Sequence, residues 1–90
     1  MDWKIRFTNR AARALRKLDP ELRRRVRAAI DALREEPERG KPLQLTLKGL
    51  RSWRTGDFRI VYRIDRGWIE ILVIALGHRR DVYARLRERV

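Results

Sequence analysis

The chain has 90 residues, with 24 Lys+Arg against 12 Asp+Glu, one His, no Cys and a formal net charge of +12 at pH 7. That length holds it to one small domain over residues 1–90, and 43% apolar content supplies a core and excludes a wholly disordered basic tail. The lack of Cys excludes a disulfide framework, a thiolate metal site and cysteine catalysis, and no apolar run approaches the ~20 residues of a bilayer span.

The N-terminus opens directly into alternation, without the apolar core of a signal peptide. A cytoplasmic protein with no membrane partner is expected. Trp3, Ile5 and Phe7 alternate with Lys4 and Arg6, the pattern of a half-exposed strand. Thr8 or Asn9 caps a short helix whose apolar stripe is Ala11, Ala12, Leu15 and Leu18. Asp19-Pro20 reads as an N-cap and first helical residue. The helix that follows repeats Leu22, Val26, Ala29, Ile30 and Leu33 at helical spacing, with Arg23, Arg24, Arg27, Asp31 and Arg34 on a solvated face. Glu36-Pro37 ends it, and residues 38–42 read as a loop.

The second half is β-rich. Leu43 to Leu47 is either a short strand or an extended connection, and Leu50 to Thr55 reads as a strand ending at a Gly56-Asp57 turn. Phe58, Ile60, Tyr62 and Ile64 alternate with Arg59, Val61 and Arg63, giving one apolar and one basic face. Asp65-Arg66-Gly67 reads as a tight hairpin with Gly67 at positive φ. Trp68 to Leu76 is apolar on both faces and reads as the central strand, and a last helix is expected from about Arg79 to Glu88. The order β-α-α-β-β-β-α implies an α+β fold. Its small, mostly antiparallel sheet carries an N-terminal αα-hairpin on one face and a short C-terminal helix. The first strand must join out of sequence, at an edge beside later strands.

A twofold excess of base over acid, mostly Arg, points to nucleic acid, the ribosome or an acidic protein as partner. Arg matches phosphate with a planar fork. If the helices cover the apolar face, Arg59 is left on the other, with Arg54 near it on the adjacent strand. Tyr83 lies one helical turn beyond Arg79, so both can point at one spot. Arg54, Arg59, Arg79 and Tyr83, edged by Lys48 and Arg51, have the make-up of a single-stranded nucleic-acid site. Arg63, His78 and Arg80 join Lys48 and Arg51 as RNA-binding candidates. Alternatives stand beside these roles. His78 is a general acid or base, or a helix cap. Tyr83 belongs to the site or the core. Arg54 meets phosphate, Asp57 or a partner's carboxylate. Trp53 stacks on a base or lies under the core. Trp3 and Trp68 pack at the sheet margins. One His and scattered carboxylates give no metal ligand set, and no cofactor is expected.

Two stretches, Arg54-Thr55-Gly56-Asp57-Phe58-Arg59-Ile60-Val61-Tyr62-Arg63-Ile64 and Gly77-His78-Arg79-Arg80-Asp81-Val82-Tyr83, carry a resemblance. With Ile5-Arg6-Phe7-Thr8, Ala11, Leu15, Leu18 and Lys48-Gly49-Leu50, the chain resembles the RelE/ParE superfamily of toxin–antitoxin toxins over nearly its whole length. The resemblance implies a toxin held inactive by a cognate acidic antitoxin, in a heterotetramer or other complex. RelE-like members cleave mRNA in the ribosomal A site through attack of the 2′-OH on the adjacent phosphate. ParE-like members inhibit DNA gyrase instead, and a nontoxic antitoxin-binding member is a third reading. The chain keeps counterparts of the RelE basic residues at Arg54, Arg59 and Arg79 and of its C-terminal Tyr at Tyr83. It departs at Arg51-Ser52-Trp53, where relatives often alternate aromatic and basic residues, so Lys48, Arg51 or both stand in for a missing Lys. Arg cannot act as an ordinary base, with a pKa above ~12. Such a site would work by neutralising phosphate and holding the strand in line for attack.

Overall fold

The computed structural model describes residues 3–78, 82 and 83. The elements are β1 (Lys4–Phe7), α1 (Asn9–Arg16), α2 (Pro20–Ala32), β2 (Lys41–Pro42), β3 (Arg51–Thr55), β4 (Phe58–Asp65) and β5 (Glu70–His78), with single 3-10 turns at Pro37–Arg39 and Leu45–Leu47. The sheet order is β1-β5-β4-β3-β2. Only β1 runs parallel to its neighbour, from Lys4 opposite Glu70 to Phe7 opposite Val73, so the fold is α+β with a mostly antiparallel sheet. The first strand enters at an edge, as the sequence required.

Local chemistry starts both helices. The Thr8 hydroxyl accepts from the Ala11 amide (3.1 Å) and donates to the Ile74 carbonyl (2.8 Å), so one residue caps α1 and ties it to β5. That carbonyl is free for Thr8 because the β4–β5 register shifts between Val61 and Tyr62. Val61 faces Ala75 and Tyr62 faces Val73, leaving Ile74 as the extra residue of a bulge. Asp19 accepts from the Leu22 amide (3.0 Å), and Pro20 opens α2. Arg23, expected on a solvated face, instead donates to the Arg16 (3.1 Å) and Leu18 (2.9 Å) carbonyls and closes the C-terminal end of α1.

Ala11 and Leu15 of α1 and Val26 and Ile30 of α2 pack with Phe58, Ile60, Val73 and Leu76, so both helices cover one face of the sheet. Fully burying each of the larger aliphatics contributes about 1.5–3 kcal/mol. Leu33, Tyr62 and Ile71 extend this core towards the other end of the strands. Tyr62 is fully buried, and its phenol donates to the Pro37 carbonyl (2.6 Å) while accepting from the Gly40 amide (3.0 Å).

Three expectations change. The Leu43–Leu47 segment is neither strand nor simple extension: pairing occurs at Lys41–Pro42, and a 3-10 turn follows at Leu45–Leu47. The β4–β5 turn is longer than Asp65-Arg66-Gly67. The Asp65 carboxylate accepts from the Trp68 amide (3.3 Å), the positive φ falls on Ile69 (53°) rather than Gly67, and β5 starts at Glu70. Trp68 therefore stands in the turn, 76% exposed, and not at a packed margin. The expected C-terminal helix lies outside the described residues except for Val82 and Tyr83, which are helical. No helix among the described residues is long and apolar enough to cross a membrane.

Candidate nucleic-acid interface

The β3–β4 hairpin turns on Gly56, whose φ of +58° suits a residue without a side chain. This turn fixes a register in which Arg54 stands directly opposite Arg59, and Arg59 opposite Gly77 of β5. The three positions form a row across the sheet, on the face away from the helices. Like charges directly opposed across strands repel. Neither Arg has an ion pair among the described residues. Arg54 is exposed, Arg59 is half-buried, and the Arg59 Nε is buried with no hydrogen-bond partner among the described residues. A buried donor without an acceptor is costly, and a bound anion would supply the acceptor. Gly77 places no side chain beside Arg59, and a Cβ there would meet Val82 Cβ at 3.9 Å, so Val82 bounds the row on the β5 side.

The face bearing this row is not uncovered, contrary to expectation. Val61, Ala75 and Val82 form a small buried cluster with Leu43, Leu50 and Tyr83 packed against it. The Tyr83 phenol donates to the Ser52 hydroxyl at 2.7 Å, and Ser52 is itself buried. Ser52 precedes Arg54 by two residues on the same face of β3, a step of about 7 Å along a strand. Tyr83 is thereby both part of the packing and moored next to the Arg row. Ser52 was not among the sequence candidates. Its one signal was the alternation that puts it on the same face as Arg54.

The remaining candidates scatter. Arg79 and Arg80 lie outside the described residues. Lys48 is exposed on the loop whose Leu43 and Leu50 pack beside Tyr83. Arg51 does not join the row. It is paired with Tyr62 on the helix side, and its guanidinium donates to the Glu38 (3.1 Å) and Gly40 (2.6 Å) carbonyls. Arg63 shares the face of Arg59 but lies four residues away, beyond the Val61 cluster. It lines a separate hollow with Arg6, Trp68 and Glu70. His78 turns to the helix side, its ring 4.6 Å from that of Phe58 at a 50° tilt. It is not aimed at the Arg row. Trp53 packs under the helices, with the Arg39 guanidinium 5.6 Å above its ring.

The described residues set a basic row beside a moored phenol on two helices and a five-stranded sheet, an α+β frame shared with known toxins. The model of the family described as "ParE toxin of type II toxin-antitoxin system, parDE" matches residues 5–83. Toxin RelG of Mycobacterium tuberculosis (strain ATCC 25618 / H37Rv) is 41% identical over 87 residues, which cover 94% of this chain and 100% of that one. Toxin RelE of the same strain is 37% identical over 81 residues, 88% of this chain and 84% of that one. The crystal structure of the toxin–antitoxin complex RelBE2 from Mycobacterium tuberculosis matches with a TM-score of 0.80 at 38% identity, covering 88% of this chain and 100% of that chain. The chain belongs to the RelE/ParE superfamily of toxins of type II toxin–antitoxin systems.

Proposed function

We propose that this toxin is an mRNA endoribonuclease that acts on the ribosome, as one toxin domain over residues 1–90. The observation that carries the reading is the opposed pair Arg54 and Arg59, with a buried Arg59 Nε that has no hydrogen-bond partner among the described residues, and Tyr83 bonded to Ser52 two positions from Arg54. Two fixed positive charges suit a phosphodiester, and they stabilise the extra negative charge of a pentacoordinate phosphorus. In the step we envisage, the 2′-OH attacks the adjacent phosphorus, the P–O5′ bond breaks, and a 2′,3′-cyclic phosphate and a 5′-hydroxyl remain. The attacking oxygen loses one proton and the leaving oxygen gains one. The guanidinium groups bind and neutralise. Tyr83, freed from Ser52, is the group placed to meet the 2′-OH or a base, with Arg79 as a second phosphate holder and Lys48 at the margin. The strand must be bent for in-line attack, and the ribosomal A site is the expected source of that geometry.

Both curated relatives carry Rel toxin names, and the solved relative is a toxin–antitoxin complex. By that likeness the partner is a cognate antitoxin. An acidic segment wrapped over the +12 surface would neutralise it, in a heterotetramer or a related assembly in the cytoplasm. The helical hairpin of α1 and α2 and the C-terminal helix would be the two covers of the sheet.

The family model's ParE description favours a second reading, inhibition of DNA gyrase. Translation of a defined template in vitro separates the two. Codon-positioned cuts in the message are the expected result. Undisturbed translation together with blocked DNA supercoiling would establish the second reading, and failure of induced expression to slow growth would point to a nontoxic member.

A further inference from the structure

We propose that the groove beside α1 is a second phosphodiester-binding site, which holds the RNA strand where it leaves the Arg54–Arg59 row. The groove has a volume of about 380 Å³ and is lined by Arg10, Arg13, Lys17 and His78 around Phe58 and Leu76. Arg10, Arg13 and Lys17 recur at intervals of three and four, so they share one face of the helix and repel one another. Helix α1 (NRAARALR) contains no acidic residue, and Arg10 sits near its N-terminus, where the helix dipole disfavours a cation. Among the described residues no carboxylate lines the groove, and Arg10 Nη1 is buried with no hydrogen-bond partner. Such a concentration of cations is destabilising in the empty protein, and a bound anion offsets it.

The groove's position favours RNA over an acidic peptide. Gly77 lines the groove and is also the register partner of Arg59. That shared residue puts the groove and the Arg row at the same end of the sheet, one on each face. The exposed His78 ring, tilted against Phe58, offers a flat aromatic surface to a base next to the cations. The identity of the strand rests on the RNA-cleaving reading above. The anion site itself does not.

Binding of uncleavable 2′-O-methyl RNA to the full chain tests this. Arg13 on α1 and Lys17 at its C-cap are both exposed, so the Arg13→Ala/Lys17→Ala double variant keeps the core. A hexamer should bind it about tenfold more weakly, with the salt slope reduced by about 0.7 for each lost phosphate contact. A dinucleotide, too short to span both places, should bind as to the wild type. Hexamer binding with unchanged affinity and slope overturns the proposal. So does loss confined to an acidic decapeptide probe, which would make the groove a protein-docking site. The Arg54→Ala/Arg59→Ala variant separates the two readings. If it binds both RNAs like the wild type while the α1 variant loses the hexamer, the Arg row fails and the groove stands. Co-sedimentation with ribosomes names the source of the phosphates. A loss that requires mRNA assigns the message, a loss without mRNA assigns ribosomal RNA, and either supports phosphodiester binding.

Discussion

Tyr62 illustrates how one buried polar group stiffens the sheet end. Burial pushes its phenol above the usual 10.0, while the Gly40 amide works in the opposite direction. A raised phenol favours the folded state while it is protonated. The contribution is therefore complete below about pH 10 and is lost as pH rises from there through the folded-state value. Thermal melts between pH 8 and 11 should show this decline in the wild type and a flatter profile in Tyr62→Phe. That variant also leaves the Gly40 amide unpaired and should lose about 1–3 kcal/mol at neutral pH. Gly40→Ala should be comparably destabilising, by about 1–3 kcal/mol in denaturant titration. A Cβ there would lie 2.8 Å from Tyr62 Cε1 and 3.0 Å from the Ser52 carbonyl oxygen, and the latter is backbone in a paired strand. Alternation made Tyr62 legible as a core residue. Its partners were not legible, because Pro37 and Gly40 lie 25 and 22 residues away in a loop.

At the scale of elements, α1 and β5 depend on each other through Thr8. Thr8→Val keeps the shape but removes both the cap on Ala11 and the bond to Ile74, and should cost about 1–2 kcal/mol. Equilibrium unfolding measures this, and a loss within error of zero would mean that the bulge carbonyl finds another partner. The α2 start was readable from Asp19-Pro20 because cap and proline act within one turn. The β5 start was not, because apolar Trp68 and Ile69 look like strand residues while the Asp65 side chain holds them in a turn. The same distinction governs the candidate site. Alternation correctly put Arg54, Arg59 and Arg63 on one face, but it carries no information on what divides that face. Val61 and Ala75 with Val82 divide it, and they leave Arg63 in another hollow. Arg51 sits one position out of phase with Arg54, and that alone commits it to the opposite side and to backbone carbonyls.

Over the whole molecule, the net charge of +12 steers any polyanion to this chain, and binding should weaken steeply with salt. Attraction of this kind does not distinguish one Arg from another. The register does: it sets Arg54 against Arg59 beside the Gly56 turn, and Arg59 Nε has no hydrogen-bond partner among the described residues. The central claim is that this opposed pair grips the scissile phosphate. Primer extension on mRNA from a ribosome-dependent cleavage reaction tests it most directly, with Arg59→Ala and Arg63→Ala compared with the wild type. Arg59→Ala should lose cleavage by about 10²–10³-fold with an unchanged thermal melt, the scale seen when one transition-state charge partner is removed. Arg63→Ala should cut nearly as well as the wild type. Wild-type cleavage by Arg59→Ala, or an equal loss in both variants, would contradict the account.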